Sequence, residues 1–368
     1  MRFIGVAADR YVHASVQRSA VVLINLGTPQ AATAAAVRRY LREFLSDPRV
    51  IELPRWIWWP ILYGPVLALR PSRSAAKYAS IWTAEGSPLL VQSQRQAAAL
   101  AQELARRGLE LEVALAMRYG EPSIGAVLQQ LRARQVTRML MLPMYPQYSA
   151  TSTGSAVDGV NRVLARVRDV PEVRWIKHFA DDAGYIEALR ASVLEHWARH
   201  GRGERLVMSF HGLPRRNLDL GDPYHCECQK TARLLAAALQ LAPDAWRVSF
   251  QSRFGRARWL EPSTVDTLQS FARDGVERID VICPGFVADC LETLEEIGIE
   301  GQASFLQAGG RELRTIACLN DSAGFIGALA DLVERNVQGW PVDATQQQAR
   351  SLEAQRSAER AVAMGSPR

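Results

Sequence analysis

The sequence predicts an α/β chain of two similar domains, each a parallel sheet flanked by helices, with a cleft between them. Three observations carry this. Short apolar runs alternate with helix-like stretches along most of the chain, the pattern of right-handed strand–helix–strand crossovers. LINLGTP (23–29) and MSFHGLP (208–214) share an apolar lead-in, a Gly and a Pro at matching offsets, which sets Leu26 against His211. Later in each half a strand runs into proline, at MLMLPMY (139–145) and DVICPGF (280–286).

In order, the strand candidates are VVLINLG (21–27), LEVALAMRYG (111–120), TRMLMLPMYP (137–146), RLVMSFHG (205–212), WRVSFQSRFG (246–255) and RIDVICPGF (278–286). Helical periodicity fills stretches such as QSQRQAAALAQELARRG (92–108) and QKTARLLAAALQL (229–241). The first half is the longer, and its surplus falls in 46–90, around WIWWPILYGPVLAL (56–69). This divides the chain into an N-terminal extension (1–18), a first domain (19–175) that includes an apolar lip (46–90), and a second domain (176–318). A C-terminal helix packing back (319–340) and a polar tail (341–368) follow. In open parallel sheets ligands bind at the carboxyl ends of strands, so Leu26, Tyr145, His211 and Cys283 all border the expected cleft.

With 48% hydrophobic and 22% charged residues over 368 positions, the chain has ample material for a core. Its net charge of +6 comes almost wholly from arginine, the lysines being Lys77, Lys177 and Lys230. The arginines alternate with Asp and Glu and form no continuous stripe, which argues against nucleic acid. The uncharged run 56–69 is broken by two prolines and a glycine and falls short of the roughly 20 apolar residues a membrane span needs. The first twenty residues lack the apolar core of a signal peptide, and the five cysteines are expected to be reduced thiols in the cytoplasm.

In VADCLETLEEIGIEG (287–301), Asp289, Glu292 and Glu296 stand at i, i+3 and i+7, one face of an α-helix. Two readings stand: a solvated acidic face favoured by the helix dipole, or carboxylates serving the cleft. His211 ends a strand, where an imidazole is either a hydrogen-bonded structural group or a general base, and beside carboxylates a loose site for a divalent metal. HWARH (196–200) has helical histidine spacing without the glutamate of a metalloprotease motif. HCEC (225–228) lacks a second cysteine pair, so free thiols are expected. SATSTGSA (149–156) offers hydroxyls and N–H groups for an anion but no nucleotide fingerprint. Three tryptophans within 56–59 fit either a core or a lip beside a flat apolar ligand or a membrane surface.

LVMSFHGLPRRNLDLGDPY (206–224) resembles the signature of the ferrochelatase family, bacterial type. Further blocks like the family's are INLGTP (24–29), YASIWTAEGSPLL (78–90), MRYGEPSI (117–124), LPMYPQYSATSTGSA (142–156), SFQSRFGRARWLEP (249–262) and CPGFVADCLETLEEI (283–297). They cover roughly 20–335 in the expected order. The resemblance implies two Rossmann-like, chelatase-type domains around a porphyrin cleft, and a lyase that inserts ferrous iron into protoporphyrin IX, the last step of haem synthesis. It maps the catalytic, metal-contacting pair onto His211 and Glu292, and further acidic metal-contact positions onto Asp289 and Glu296. Leu26, Ser87, Arg118, Tyr119, Tyr148 and Ser149 fall where the family lines the ring or its entrance, and Arg70 and Arg73 fall in the lip, within reach of propionates.

No permanently bound cofactor is expected, ferrous iron being substrate. Relatives with an iron–sulfur cluster hold it through closely spaced cysteines near the carboxyl end, whereas here Cys318 is the only cysteine beyond 290, so no cluster is expected. The Trp-rich lip suggests peripheral contact with the inner membrane surface. The alternatives are a chelatase for coproporphyrin or cobalt, and a non-catalytic porphyrin or haem carrier in which His211 ligates haem and Glu292 is dispensable.

Overall fold

The computed structural model describes residues 16–255 and 257–366. Most of the expected N-terminal extension therefore lies outside the described residues, and the first strand begins at Arg18.

Among the described residues, eight strands form two parallel sheets. The first holds β1 (Arg18–Asn25), β2 (Glu112–Met117), β3 (Val136–Pro143) and β4 (Glu172–Trp175) in the order β2-β1-β3-β4. The second holds β5 (Arg205–His211), β6 (Trp246–Gln251), β7 (Arg278–Ile282) and β8 (Glu312–Thr315) in the order β6-β5-β7-β8. The two orders are the same permutation, so the echo between the halves reflects a repeated fold. β4 and β8 escape hydrophobic periodicity: EVRW and ELRT are four-residue edge strands whose charges blunt an otherwise open ladder.

The central strands are apolar throughout because helices cover both faces. In β1 every residue after Arg18 is buried, with Leu23 paired to Leu115 and Leu142. Helices Ile124–Ala133 and Ser155–Leu164 close one face of the first sheet, burying Val22, Met139, Leu128 and Val160. Thr264–Arg273 and Gln302–Gln307 do the same for the second, around Val207, Val281, Leu268 and Phe305. The inner faces share one core that joins Leu23 and Leu140 to Met208, Ile282, Phe325 and Leu329. Helix Ala323–Asn336, the expected C-terminal helix, supplies Phe325 and Leu329 to it, and the tail forms a further helix, Ala344–Ala363.

The segment 46–90 leaves the first domain as helix Arg55–Ile61, a π-helical turn Leu62–Val66 and helix Leu67–Ile81. Its tryptophans divide by helical phase. Trp58 is buried and donates its indole N–H to the Leu45 carbonyl at 2.7 Å, whereas Trp56 and Trp59 are 78% and 37% exposed. Gly27, just past β1, has φ +103°, and a Cβ there would lie 1.8 Å from the Tyr119 carbonyl oxygen. Only glycine lets the loops after β1 and β2 touch.

Candidate functional site

Strands β5, β6 and β7 end side by side, with His211 paired to Gln251 in the sheet. His211 is half-buried, and its Nδ1 lies 2.7 Å from the Gly212 carbonyl oxygen. That contact favours a proton on Nδ1 and leaves Nε2 as the free acceptor.

The acidic segment departs from the expected α-helix. It is π-helical from Glu292 to Gly301, a form rare in proteins and concentrated at functional sites. Glu292 and Glu296, four residues apart, are both half-buried. Asp289 precedes the helix and is not part of its ladder. Its carboxylate accepts from Asn320 Nδ2 at 2.7 Å and from the Cys318 N–H at 3.2 Å, so its oxygens are spent tying this segment to the loop after β8.

Glu296 is the hub. Burial raises its pKa, opposed by donation from Ser252 and by the neighbouring His211 imidazole, while the Glu292 charge raises it further. Ser252 gives its backbone N–H to Oε1 and its hydroxyl to Oε2, both at 2.5 Å. Gln251 Nε2 donates to the Glu292 carbonyl at 2.7 Å, and its Oε1 accepts from Ser209 Oγ at 2.7 Å. His211, Glu292 and Glu296 thus lie in one electrostatic neighbourhood at the strand ends.

The first domain meets this group with two buried tyrosines. Burial holds the Tyr40 phenol well above its usual pKa, with Tyr78 and then Glu292 adding to the effect; for Tyr78, burial and then Glu292 do the same. Behind Tyr78, Thr28 Oγ1 and Ser87 Oγ stand 2.8 Å apart, which accounts for Ser87. Lys77 ties the lip helix to the acidic helix through Glu295 at 3.1 Å and Glu300 at 2.6 Å. Arg70 is exposed and lies over the Phe254 ring, 5.3 Å from its centroid, while Arg73 is exposed beside it on the lip. Leu26 is half-buried just past β1.

The remaining expected lining residues sit deeper. Arg118 and Tyr119 are buried around Asp47, which receives Arg118 Nη2 at 2.5 Å and the Tyr119 hydroxyl at 2.8 Å. Arg118 Nε also donates to the Ser155 carbonyl at 2.8 Å, so this pair is engaged within the protein. Tyr148 is half-buried beneath Lys177, and Ser149 caps the π-helical turn Ala150–Gly154. The anion cradle expected there is filled from within: Asp222 accepts from Ser149 Oγ at 3.1 Å and from the Ala150 N–H at 2.8 Å. His225 stacks on Phe250, and Glu227 accepts from the Tyr148 N–H, so the HCEC stretch is structural. His196 faces the buried Asp280 carboxylate, at the other end of the second domain.

A pocket of about 450 Å³ opens at the carboxyl ends of β1 and β2, bordered by Thr28, Tyr40 and Tyr63. A larger depression of about 610 Å³, lined by Glu204, Arg278 and Glu312, lies at the amino ends of β5, β7 and β8. Parallel sheets bind ligands at the opposite end, so the larger depression lies away from the side where a ligand is expected. Among the described residues no three His, Cys, Asp or Glu side chains are grouped to hold a metal ion.

The family model for ferrochelatase matches residues 18–337. Similar curated proteins include a ferrochelatase of Polaromonas sp., 58% identical over 351 residues and covering 95% of each chain. Another, from Azoarcus sp., is 57% identical over 343 residues, covering 92% of this chain and 94% of its own. Among solved structures, SirB from Bacillus subtilis with Fe3+ superposes with a TM-score of 0.51 at 13% identity, covering 88% of this chain and 96% of its own, a likeness of fold alone.

Proposed function

Because the chain belongs to the ferrochelatase family, it inserts ferrous iron into a porphyrin for haem synthesis, and we propose protoporphyrin IX as the ring it takes. His211 accepts the pyrrole protons, while Glu292 and Glu296 carry them away or lead iron in. The observation that supports these roles is that the ends of β5 and β6 meet the acidic segment: His211 pairs with Gln251, which donates to the Glu292 carbonyl at 2.7 Å, and the next residue, Ser252, donates to both Glu296 oxygens at 2.5 Å.

The chemistry needs that combination. A free-base porphyrin loses two inward-pointing N–H protons as iron enters, so the ring must pucker before a base reaches its nitrogens. A walled cleft can hold the puckered ring with binding energy drawn from the ring's periphery. A neutral imidazole with a free Nε2 is a suitable acceptor. One imidazole with carboxylates makes a poor cage for iron, as release to the ring requires. Asp289, which precedes the segment Glu292–Gly301 and ties it to the loop after β8, is given a structural part instead of the expected metal contact, while Glu296, also hydrogen-bonded, keeps its part through its nearness to His211. Arg70 and Arg73, exposed on the lip, are the candidates to meet propionates.

An anaerobic assay with Fe²⁺ and protoporphyrin IX tests this. Glu292→Gln is expected to retain porphyrin binding and lose about 10²-fold in turnover. Unchanged turnover overturns the assignment, as does a wild-type protein that binds porphyrin without metallating it, the behaviour of a carrier. Coproporphyrin and Co²⁺ as competing substrates measure the preference directly.

No helix among the described residues is long and apolar enough to cross a membrane. We place the chain in the cytoplasm, its five unpaired thiols supporting a reducing compartment. Peripheral membrane contact through the lip is supported by the exposure of Trp56, Trp59, Tyr63 and Leu69. Trp56→Ser with Trp59→Ser is expected to weaken co-sedimentation with anionic vesicles by about tenfold, from lost apolar burial. Unchanged co-sedimentation removes the membrane reading. No iron–sulfur cluster is proposed, and a visible charge-transfer band in the purified protein would contradict that.

A further inference from the structure

Four non-glycine residues among those described have positive φ: Gln135, Gln240, Ser252 and Asn320. Gln135 and Gln240 follow the helices Ile124–Ala133 and Tyr224–Ala238, where a left-handed residue commonly closes the last turn. Asparagine tolerates this region better than most residues. Ser252, at φ +63°, has neither reason: it is a serine directly after strand β6.

The unusual turn has a visible result. It brings both donors of Ser252 to one carboxylate, the backbone N–H to Glu296 Oε1 and the hydroxyl to Oε2, each at 2.5 Å. The preceding Gln251 is paired in the sheet with His211 and donates to the Glu292 carbonyl at 2.7 Å. A carboxylate held by both oxygens cannot rotate about its last side-chain torsion, and two donors from one residue define its plane.

We infer that Ser252 is a positioning residue for iron insertion: it holds the Glu296 carboxylate in a fixed plane beside His211, and its left-handed backbone is the geometry that this hold requires. The inference rests on the part given to Glu296 in the proposed function. Backbone strain kept at a functional site is a known pattern, and here the strained residue and the group it serves are in direct contact.

Two substitutions separate positioning from plain structure. Ser252→Gly removes the hydroxyl and relieves the backbone, so the protein is expected to melt no lower than the wild type. Its kcat falls by about tenfold, the loss expected of one hydrogen bond to a charged group, with KM for porphyrin unchanged. Ser252→Thr keeps the hydroxyl but brings a β-branch to a left-handed position, so it melts lower while recovering most of the kcat lost in the glycine variant. The orders of activity and stability are then opposite. Activity that follows melting temperature across Gly, Ser and Thr overturns the inference, and so does an unchanged kcat in Ser252→Gly. Glu296→Gln tells the two failures apart. If it loses turnover while Ser252→Gly does not, the clamp alone is wrong; if it keeps full turnover, the role of Glu296 fails and the clamp with it.

Discussion

Replacing His211 by alanine lowers kcat for iron insertion by about 10²–10⁴-fold, the range for loss of a general base, while porphyrin still binds. The imidazole ends β5 with Nδ1 turned to the Gly212 carbonyl, so Nε2 is the acceptor that alanine removes. The nearby Cys283 thiol is no substitute base, because burial, then Asp289 and Glu296, push its pKa well above the usual value and keep it protonated. Anaerobic initial rates give kcat, and quenching of porphyrin fluorescence gives binding. Weakened porphyrin binding with kcat intact would show that His211 holds the ring and does not take its protons.

Replacing Asp47 by alanine destabilises the fold by about 3–5 kcal/mol, because it strands the buried Arg118 guanidinium. Asp47 and Arg118 are 5% and 8% exposed, and the carboxylate also receives Tyr119 and Ser155 hydroxyls at 2.8 and 2.6 Å. This knot joins the end of helix Ala34–Leu45 to the loop after β2 and to helix Ser155–Leu164. Burial alone would raise the pKa of Asp47, but the hydrogen bonds from Ser155, the Arg49 N–H and Tyr119, with the Arg118 charge, bring it below 3.8. A depressed folded-state value means that its stabilisation is present above 3.8 and fades as pH falls through the lowered value. The urea midpoint of Asp47→Ala checks the magnitude, and adding Arg118→Leu should recover part of the loss. A midpoint unchanged at neutral pH would mean that water reaches and solvates Arg118.

His211 was legible because a chemistry-bearing residue at a strand end stands out against an apolar lead-in, and the echo between the halves located that end; Glu292 was singled out only by the family resemblance, its helical spacing alone leaving a solvated acidic face open. The acidic ladder was half legible. Glu292 and Glu296 both lie on the segment Glu292–Gly301, which is π-helical, whereas Asp289 precedes it and ties it to the loop after β8 through Asn320 and the Cys318 N–H. Tyr40, Tyr78, Gln251 and Ser252 were missed. Tyr78 opens YASIWTAEGSPLL, yet nothing near it in the chain announces an acidic partner in the other domain. The lip was legible as apolar, and phase along helix Arg55–Ile61 separates Trp58 from Trp56 and Trp59 once the helix is known.

The sequence alone determined the layers and the duplication, because strand and helix periods are written in neighbouring residues and each apolar run must be covered on both faces. Which side chains meet was decided only by tertiary structure. Tyr78 comes near Glu292 because the two halves pack against each other, and Asp47 takes Arg118 because helix Ala34–Leu45 ends against the loop after β2; both meetings depend on the summed shape of residues far apart in the chain. Burial then sets the charges: the same carboxylate that would be an ordinary acid on a solvated helix becomes, at Glu296, a held and perturbed one.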